Sequence, residues 1–213
     1  MTPEQRIRRV RRRYHRRVEA WKQALEDRID HAEAEKDDRI REIRRRQHEA
    51  GKPFSMWDSI DLSQMPSAIV KPDAAAGYTG GSWPTYAEIT RRWPDARHLS
   101  IAVRSADGAV CLDVEPGDAT NADVPEWLRS KAQGKRPKIY TFLSNGQPLV
   151  DYLAGHGIKR SSYDLWIAHW TGKPHICGPG CGLGLRTVAE ATQFTDHSGG
   201  RNLDESLCAA TFL

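Results

Sequence analysis

Ala109-Val110-Cys111-Leu112-Asp113-Val114-Glu115-Pro116-Gly117 is the stretch on which the reading of the fold turns. Apolar and β-branched residues run into a Pro-Gly break, the pattern of a short buried strand. Side chains alternate across a strand, so Leu112 and Val114 share one face while Cys111, Asp113 and Glu115 share the other. Two carboxylates are thereby delivered together to the C-terminal end of a strand, where ligands bind in parallel α/β folds. Their Cα atoms are expected ~6.6 Å apart at 3.3 Å per residue. Carboxylates at that range hinder each other's ionisation and can divide into an acid and a base or stabiliser. Glycosidic bond cleavage uses that division. The same three letters also suit a half-exposed strand with two solvated acids, so the surrounding sequence has to decide.

Outward from this strand, short apolar segments recur at 54–60, 74–78, 98–103, 138–143, 165–170 and 191–195, with 109–115 among them. Helical patterns lie between several of them, at 85–92, 125–132 and 147–154. Strands alternating with helices argue for a parallel α/β sheet, open or closed as a barrel. A full (β/α)₈ barrel takes ~250 residues. Residues 51–213 are too few for that, so the expectation is a trimmed TIM-like barrel with some helices short or missing.

Taken in order, these segments resemble the glycoside hydrolase family 25 lysozymes and the related lysozyme-like domains of actinobacteria and their phages. Leu112-Asp113-Val114-Glu115 is similar to that family's Asp-x-Glu strand, and Met56-Trp57-Asp58-Ser59 to its first strand with an inward aspartate. Lys138-Ile139-Tyr140-Thr141 and Leu165-Trp166-Ile167-Ala168 resemble two middle strands. Ala191-Thr192-Gln193-Phe194-Thr195, then Gly199-Gly200-Arg201-Asn202-Leu203-Asp204, resembles the last strand and its trailing aspartate. The resemblance spans about residues 54–207 in family order. It implies a modified β/α barrel that cleaves the β-1,4 bond between N-acetylmuramic acid and N-acetylglucosamine. Carried over position by position, Glu115 is the general acid and Asp113 orients or stabilises the reacting sugar. Asp58 and Asp204 complete an acidic floor, with Asp196 competing with Asp204 as the last-strand acid. Residues 61–81 are shorter than in the family and read differently, and Asp73 has no counterpart there. A catalytically inactive glycan-binding or structural virion protein on the same fold is the alternative.

The first fifty residues are of another kind. They hold 14 arginines and 2 lysines against 11 acidic residues, a net of +5, whereas the whole chain carries +4. They contain Pro3 and no glycine, while all 17 glycines and the other 11 prolines follow. Thr2-Pro3-Glu4 is a helix start and Gly51-Lys52-Pro53 a stop. Between them Ile7, Val18, Ile29 and Ile40 form one row at an eleven-residue period, and Val10, Trp21, Ala32 and Ile43 a second. A third row, Tyr14 and Leu25, turns polar at Lys36 and Gln47. Eleven residues in three turns favours a slight right-handed supercoil. The narrow stripe suits a seam between helices, so residues 1–50 read as an oligomerising coiled-coil stalk roughly 75 Å long. Docking onto another protein is a weaker reading. Nucleic-acid binding by the cluster from Arg6 to Arg17 is weaker still.

Composition narrows the setting. The mean hydropathy is −0.67, and no apolar run approaches 18 residues, so no transmembrane helix is expected. The Arg-rich start lacks the apolar core of a secretory signal peptide, which fits a phage virion protein, or one held in the host cytoplasm before lysis, acting at the cell wall. Four cysteines are too few for a disulfide scaffold at this length. His175-Ile176-Cys177-Gly178-Pro179-Gly180-Cys181 offers three metal ligands at most, and reads as a short disulfide loop or free thiols in preference to zinc. Cys111 reads as core filler, with pairing to Cys208 left open. Among the aromatics near strand ends, Tyr78, Tyr140 and Trp170 are the candidates for contact with sugar rings, joined by Gln193 on the last matched strand. The expected partners are cell-wall glycan, further copies of the chain and a virion protein, with no cofactor, no metal, no membrane and no nucleic acid.

Overall fold

The computed structural model describes residues 51–134 and 136–213, together with scattered positions among residues 3–36, each of them helical. The chain divides into two compact units, Met1–Gly51 and Lys52–Leu213. The continuous stalk helix over 1–50 and its eleven-residue seam lie largely outside the described residues. Within that unit Tyr14, Trp21, Leu25 and Ile29 are exposed.

The second unit is a closed barrel of eight strands in sequence order. These are β1 (Phe54–Asp58), β2 (Ala74–Tyr78), β3 (Arg97–Ala102), β4 (Cys111–Asp113), β5 (Lys138–Phe142), β6 (Asp164–Ala168), β7 (Ala191–Thr195) and β8 (Asp204–Cys208). Strands β1 to β7 run parallel, and β8 is antiparallel to both of its neighbours. Helices α1 (Tyr86–Arg92), α2 (Val124–Ser130) and α3 (Leu143–Gly155) follow β2, β4 and β5. The α/β barrel with few helices thus agrees with the expectation from sequence. The eighth strand is a difference from it: residues 204–208 carry no long apolar run, and they pair by inserting against the direction of the rest.

Strand alternation sorts the side chains. Phe54, Met56, Leu99, Ile101, Cys111, Tyr140, Trp166, Ala191 and Cys208 pack on one another inside the barrel. Leu112, Ile139, Leu165 and Ile167, one residue out of step, pack outward against Val124 and Trp127 of α2 and Leu149 and Leu153 of α3. Ala75 meets Ile89 of α1 and the neighbouring Trp93. Burying each of these large side chains contributes about 1.5–3 kcal/mol.

The end of the barrel where the parallel strands begin is closed by paired charges. Lys138 Nζ lies 2.9 Å from Asp164 Oδ2, and Arg136 Nε 2.5 Å from Asp164 Oδ1. Arg160 and Arg136 both reach Glu190, and Phe212 lies beneath Lys138 and against Trp166. Every buried charge at this end has an opposite partner. No helix among the described residues is long and apolar enough to cross a membrane.

Close approach of β2 to α1 depends on Gly77. A Cβ there would stand 2.8 Å from both the Tyr86 Cα and the Ile89 Cδ1. Backbone has to give way, so Gly77→Ala is expected to cost about 1–3 kcal/mol. Urea unfolding followed by circular dichroism should show a lower midpoint at unchanged slope.

Candidate functional site

The other end of the barrel, where the parallel strands finish, is acidic. Asp58 is the last residue of β1, Asp113 the last of β4, and Glu115 follows two residues on, before Pro116. Asp204 reaches the same end by a different route. Because β8 runs antiparallel, its first residue lies beside the last residue of β1, and Asp58 and Asp204 are paired across the two strands. All four carboxylates sit on inward positions, in step with Met56, Cys111 and Ser206 beneath them. Backbone order at β4 continues past the strand through Val114 N–H to the Tyr140 carbonyl, 2.9 Å, and Thr141 Oγ1 to the Val114 carbonyl, 2.8 Å.

These acids act on one another. Burial pushes the Asp58 carboxyl well above its usual range, and the charges of Asp204, Asp113 and Glu115 push it further. Asp58 and Asp204 face each other closely enough to share a proton, which the more buried Asp58 holds. Burial raises Asp204 to about 6. Asp113 is raised well above the carboxylate range by burial, then by Glu115, Asp118 and Asp204. Glu115, only half-buried, is raised by burial, then by Asp118 and Asp204. Among the described residues no cation pairs with any of the four. Asp113 Oδ1 is buried with no hydrogen-bond partner there, and Asp58 Oδ2 has none beyond the Asp204 carboxyl that its own carboxyl faces. Buried polar atoms are almost always satisfied, so the orphaned Asp113 oxygen marks where a ligand's donor would go.

The residues singled out from sequence are distributed unevenly around this mouth. Tyr78 and Tyr140 are both held strongly protonated, by burial first and then by the same four or three acids, which places them in the cluster. Tyr140 donates its hydroxyl proton to Gln193 Oε1, and the Gln193 amide in turn supports Asp204. Tyr140 also lies edge-on to Trp166, 4.6 Å between ring centroids, so its ring belongs to the interior packing and its hydroxyl to the mouth. Trp170 stands 60 % exposed beyond the end of β6. Asp196 pairs with His197 at 2.8 Å and raises Asp204 from the side, leaving Asp204 as the acid in register with Asp58. Asp73 lies at the opposite end, accepting a hydrogen bond from the Ser55 N–H.

Three site residues were not read from the sequence. Asp118 acts on both Asp113 and Glu115; the turn Glu115-Pro116-Gly117-Asp118, closed by Asp118 N–H to the Glu115 carbonyl at 3.0 Å, folds it back. Gly117 permits this turn at φ +102°. Asn121 and Asn145 exchange amide hydrogen bonds of 3.0 and 2.9 Å and line, with Glu115, Ala119 and Phe142, a groove of about 430 Å³. An acid directly after a strand-ending Pro-Gly was the available signal for Asp118. The two asparagines meet across elements and left none.

The cysteines differ from the disulfide option: all four are free thiols, Cys111 and Cys208 buried inside the barrel. No family model, curated protein or solved structure matches this chain.

Raised carboxylates carry a pH signature. A group whose folded pKa exceeds its unfolded value makes the folded state the better proton binder, so stability falls as pH rises between the two values. For Asp204 that window runs from about 4 to about 6. Asp204→Asn removes the penalty, which is full at pH 7 and absent near pH 3.5. Thermal unfolding should therefore show a rise in Tm at pH 7 that shrinks or vanishes at pH 3.5. An equal effect at both values would contradict the assignment.

Proposed function

We propose that the barrel is a glycosidase directed at bacterial cell-wall peptidoglycan, a muramidase cleaving the β-1,4 bond between N-acetylmuramic acid and N-acetylglucosamine. The observation that carries this reading is the set of carboxylates held without cations in one mouth, graded in burial from Asp113 and Asp58 to Glu115. Glu115 is the most accessible of the four, and its raised pKa lets it stay protonated until it meets a leaving oxygen. In the proposed reaction Glu115 donates its proton to the glycosidic oxygen as that oxygen's bond to the anomeric carbon breaks, and water then supplies hydroxide to that carbon and a proton that regenerates the acid. Asp113, with one buried oxygen that has no hydrogen-bond partner among the described residues, orients the sugar and offsets the positive charge that develops at its anomeric carbon. Asp58 and Asp204, sharing one proton, give the floor both a donor and an acceptor for sugar hydroxyl or acetamido groups. Trp170 on the rim offers an apolar face to a sugar ring. Tyr140 acts through Gln193 to hold Asp204. The eight-stranded barrel is read as a trimmed relative of the TIM barrel, its last strand reversed.

The first unit is proposed to be a self-associating stalk. Exposure of Tyr14, Trp21, Leu25 and Ile29, all on the rows of the eleven-residue repeat, supports this. A stalked wall hydrolase suits a phage virion better than a diffusing enzyme.

Glu115→Gln is expected to lower reducing-sugar release from purified cell walls by ~10²–10⁴-fold at a Tm no lower than that of the wild type. Unchanged release overturns the catalytic role. Wild-type chain that sediments with walls and releases nothing supports the inactive glycan-binding alternative instead. Light scattering should find the full chain oligomeric and a chain lacking residues 1–50 monomeric; a monomeric full chain defeats the stalk.

A further inference from the structure

The longest stretch of the barrel without regular structure is the connection from β6 to β7, residues 169–190, which contains only the short turn Pro179–Cys181. Loops beyond about 12–15 residues with no secondary structure are uncommon in compact domains. This one is also costly to order. It holds Gly172, Gly182 and Gly184 at positive φ, and Leu183, a branched residue, at φ +50°. Its own apolar anchors are few: Cys177, Leu185 and Ala189 are the buried residues it contributes to the core beneath it.

Four metal-ligating side chains converge inside it. Donor atoms of His169, His175, Cys177 and Cys181 all lie within 4.8 Å of one another. His169 Nδ1 is 3.1 Å from His175 Nε2, and Cys177 Sγ is 3.3 Å from the first and 3.5 Å from the second. Ligands at about 2.0–2.1 Å (nitrogen) and 2.3 Å (sulfur) from a tetrahedral zinc ion stand about 3.3–3.8 Å from each other. The separations among His169, His175 and Cys177 sit at or just below that range, and Cys181 Sγ lies within 4.8 Å of each of them.

The surroundings orient the ligands. His175 Nδ1 faces the Lys173 carbonyl at 2.9 Å, an acceptor with no proton to give, so Nδ1 carries the proton and Nε2 turns its lone pair inward. Thr171 hydroxyl is 3.3 Å from the same Nδ1. Cys177 is fixed through its backbone, its N–H to Thr192 Oγ1 at 2.7 Å and its carbonyl to the Ala189 N–H at 2.9 Å. His169 is fixed by its N–H to the Gln193 carbonyl, 2.9 Å. Gly178-Pro179-Gly180 turns the chain so that Cys181 comes back to Cys177, and both remain thiols.

We propose that His169, His175, Cys177 and Cys181 form a structural zinc site that holds the β6–β7 loop in place of the helix a β/α barrel would carry there. Two thiolates and two imidazoles are the ligand set that selects zinc in tetrahedral geometry. Four protein ligands fill the shell and leave no position for water, so the ion organises the wall of the mouth and takes no part in chemistry. That wall carries Trp170, next to the ligand His169 in sequence. The site shares no residue with the carboxylate cluster and does not depend on the glycosidase reading.

Untagged full-length chain, produced in zinc-supplemented medium and purified without chelator, is expected to carry about one zinc per chain by plasma mass spectrometry. Cobalt added to the apo-chain is expected to give the visible bands of a tetrahedral site with thiolate-to-cobalt charge transfer. Cys181→Ser and His175→Ala, both at half-buried positions, should reduce zinc at least tenfold while circular dichroism keeps the barrel signal. Asp113→Asn should leave zinc unchanged. Chelation of the wild type should lower Tm and leave that of Cys181→Ser unmoved. Zinc near background together with absent cobalt–thiolate bands overturns the proposal, as does wild-type zinc content in both ligand variants. Metal lost equally in Asp113→Asn would assign it to the acidic mouth and overturn the proposal too.

Discussion

Closing eight short strands into one barrel forces every second side chain into a space only wide enough for side chains. The rest of the molecule follows from that constraint. Inward positions must be filled from both ends of each strand, and the ends differ in what they admit. Between them lies an apolar plug of Met56, Leu99, Cys111, Trp166 and Ala191. The Trp166 indole N–H is satisfied by Ser206 Oγ at 3.0 Å, so even this plug's polar atom is paired. Residues in step with the plug but one layer higher, Asp58, Asp113 and Asp204, have nowhere to point except into the mouth.

The two ends treat charge in opposite ways. At the closed end Lys138, Asp164, Arg136, Glu190 and Arg160 alternate in sign, and each buried charge has a partner within ion-pair distance. At the open end the acids are of one sign, and burial raises them all. Uncompensated burial of like charges opposes folding, so the helices and apolar plug below must supply the stability that the mouth withdraws. Strain of this kind persists where the surrounding structure overrides it, and it gathers at functional sites.

How much of this was legible in the sequence depended on where the deciding interaction lay. Strands β2 and β7 were readable because Gly and Pro punctuate short apolar runs, and the shared face of Asp113 and Glu115 followed from alternation alone, whereas Asp58 was placed inward through the family resemblance. Strand β8 was not, since Asp204-Glu205-Ser206-Leu207-Cys208 has the polarity of a loop. It becomes a strand because β1 and β7 offer it two edges at once. Helix α3 begins four residues earlier than its pattern, in Leu143-Ser144-Asn145-Gly146, which reads as turn chemistry. Gly146 is there for packing: a Cβ would press within 2.9 Å of Ile167 Cδ1. His169 was hidden for a related reason. It sits at the end of a predicted strand, six residues ahead of the other ligand candidates, and only the return of the loop unites them.

Trimming explains why the mouth and the long loop occur on the same side. A β/α crossover normally spends its residues on a helix whose apolar face covers the strands outside. Where α2 and α3 do this, Leu112, Ile139 and Leu165 are buried behind Trp127, Leu149 and Leu153, and the loops above are free to carry Glu115, Asp118 and Asn121. Between β6 and β7 no α-helix is present, so the loop itself, through Cys177, Leu185 and Ala189, joins α3 in covering the outward face of Ile167. A segment that must act as both cover and rim needs cross-links that a helix would otherwise provide within itself. The Thr192 hydroxyl on Cys177 ties the loop to β7 and the Gln147 carbonyl on the Arg186 N–H ties it to α3, while the His–Cys cluster brings parts of the loop itself together.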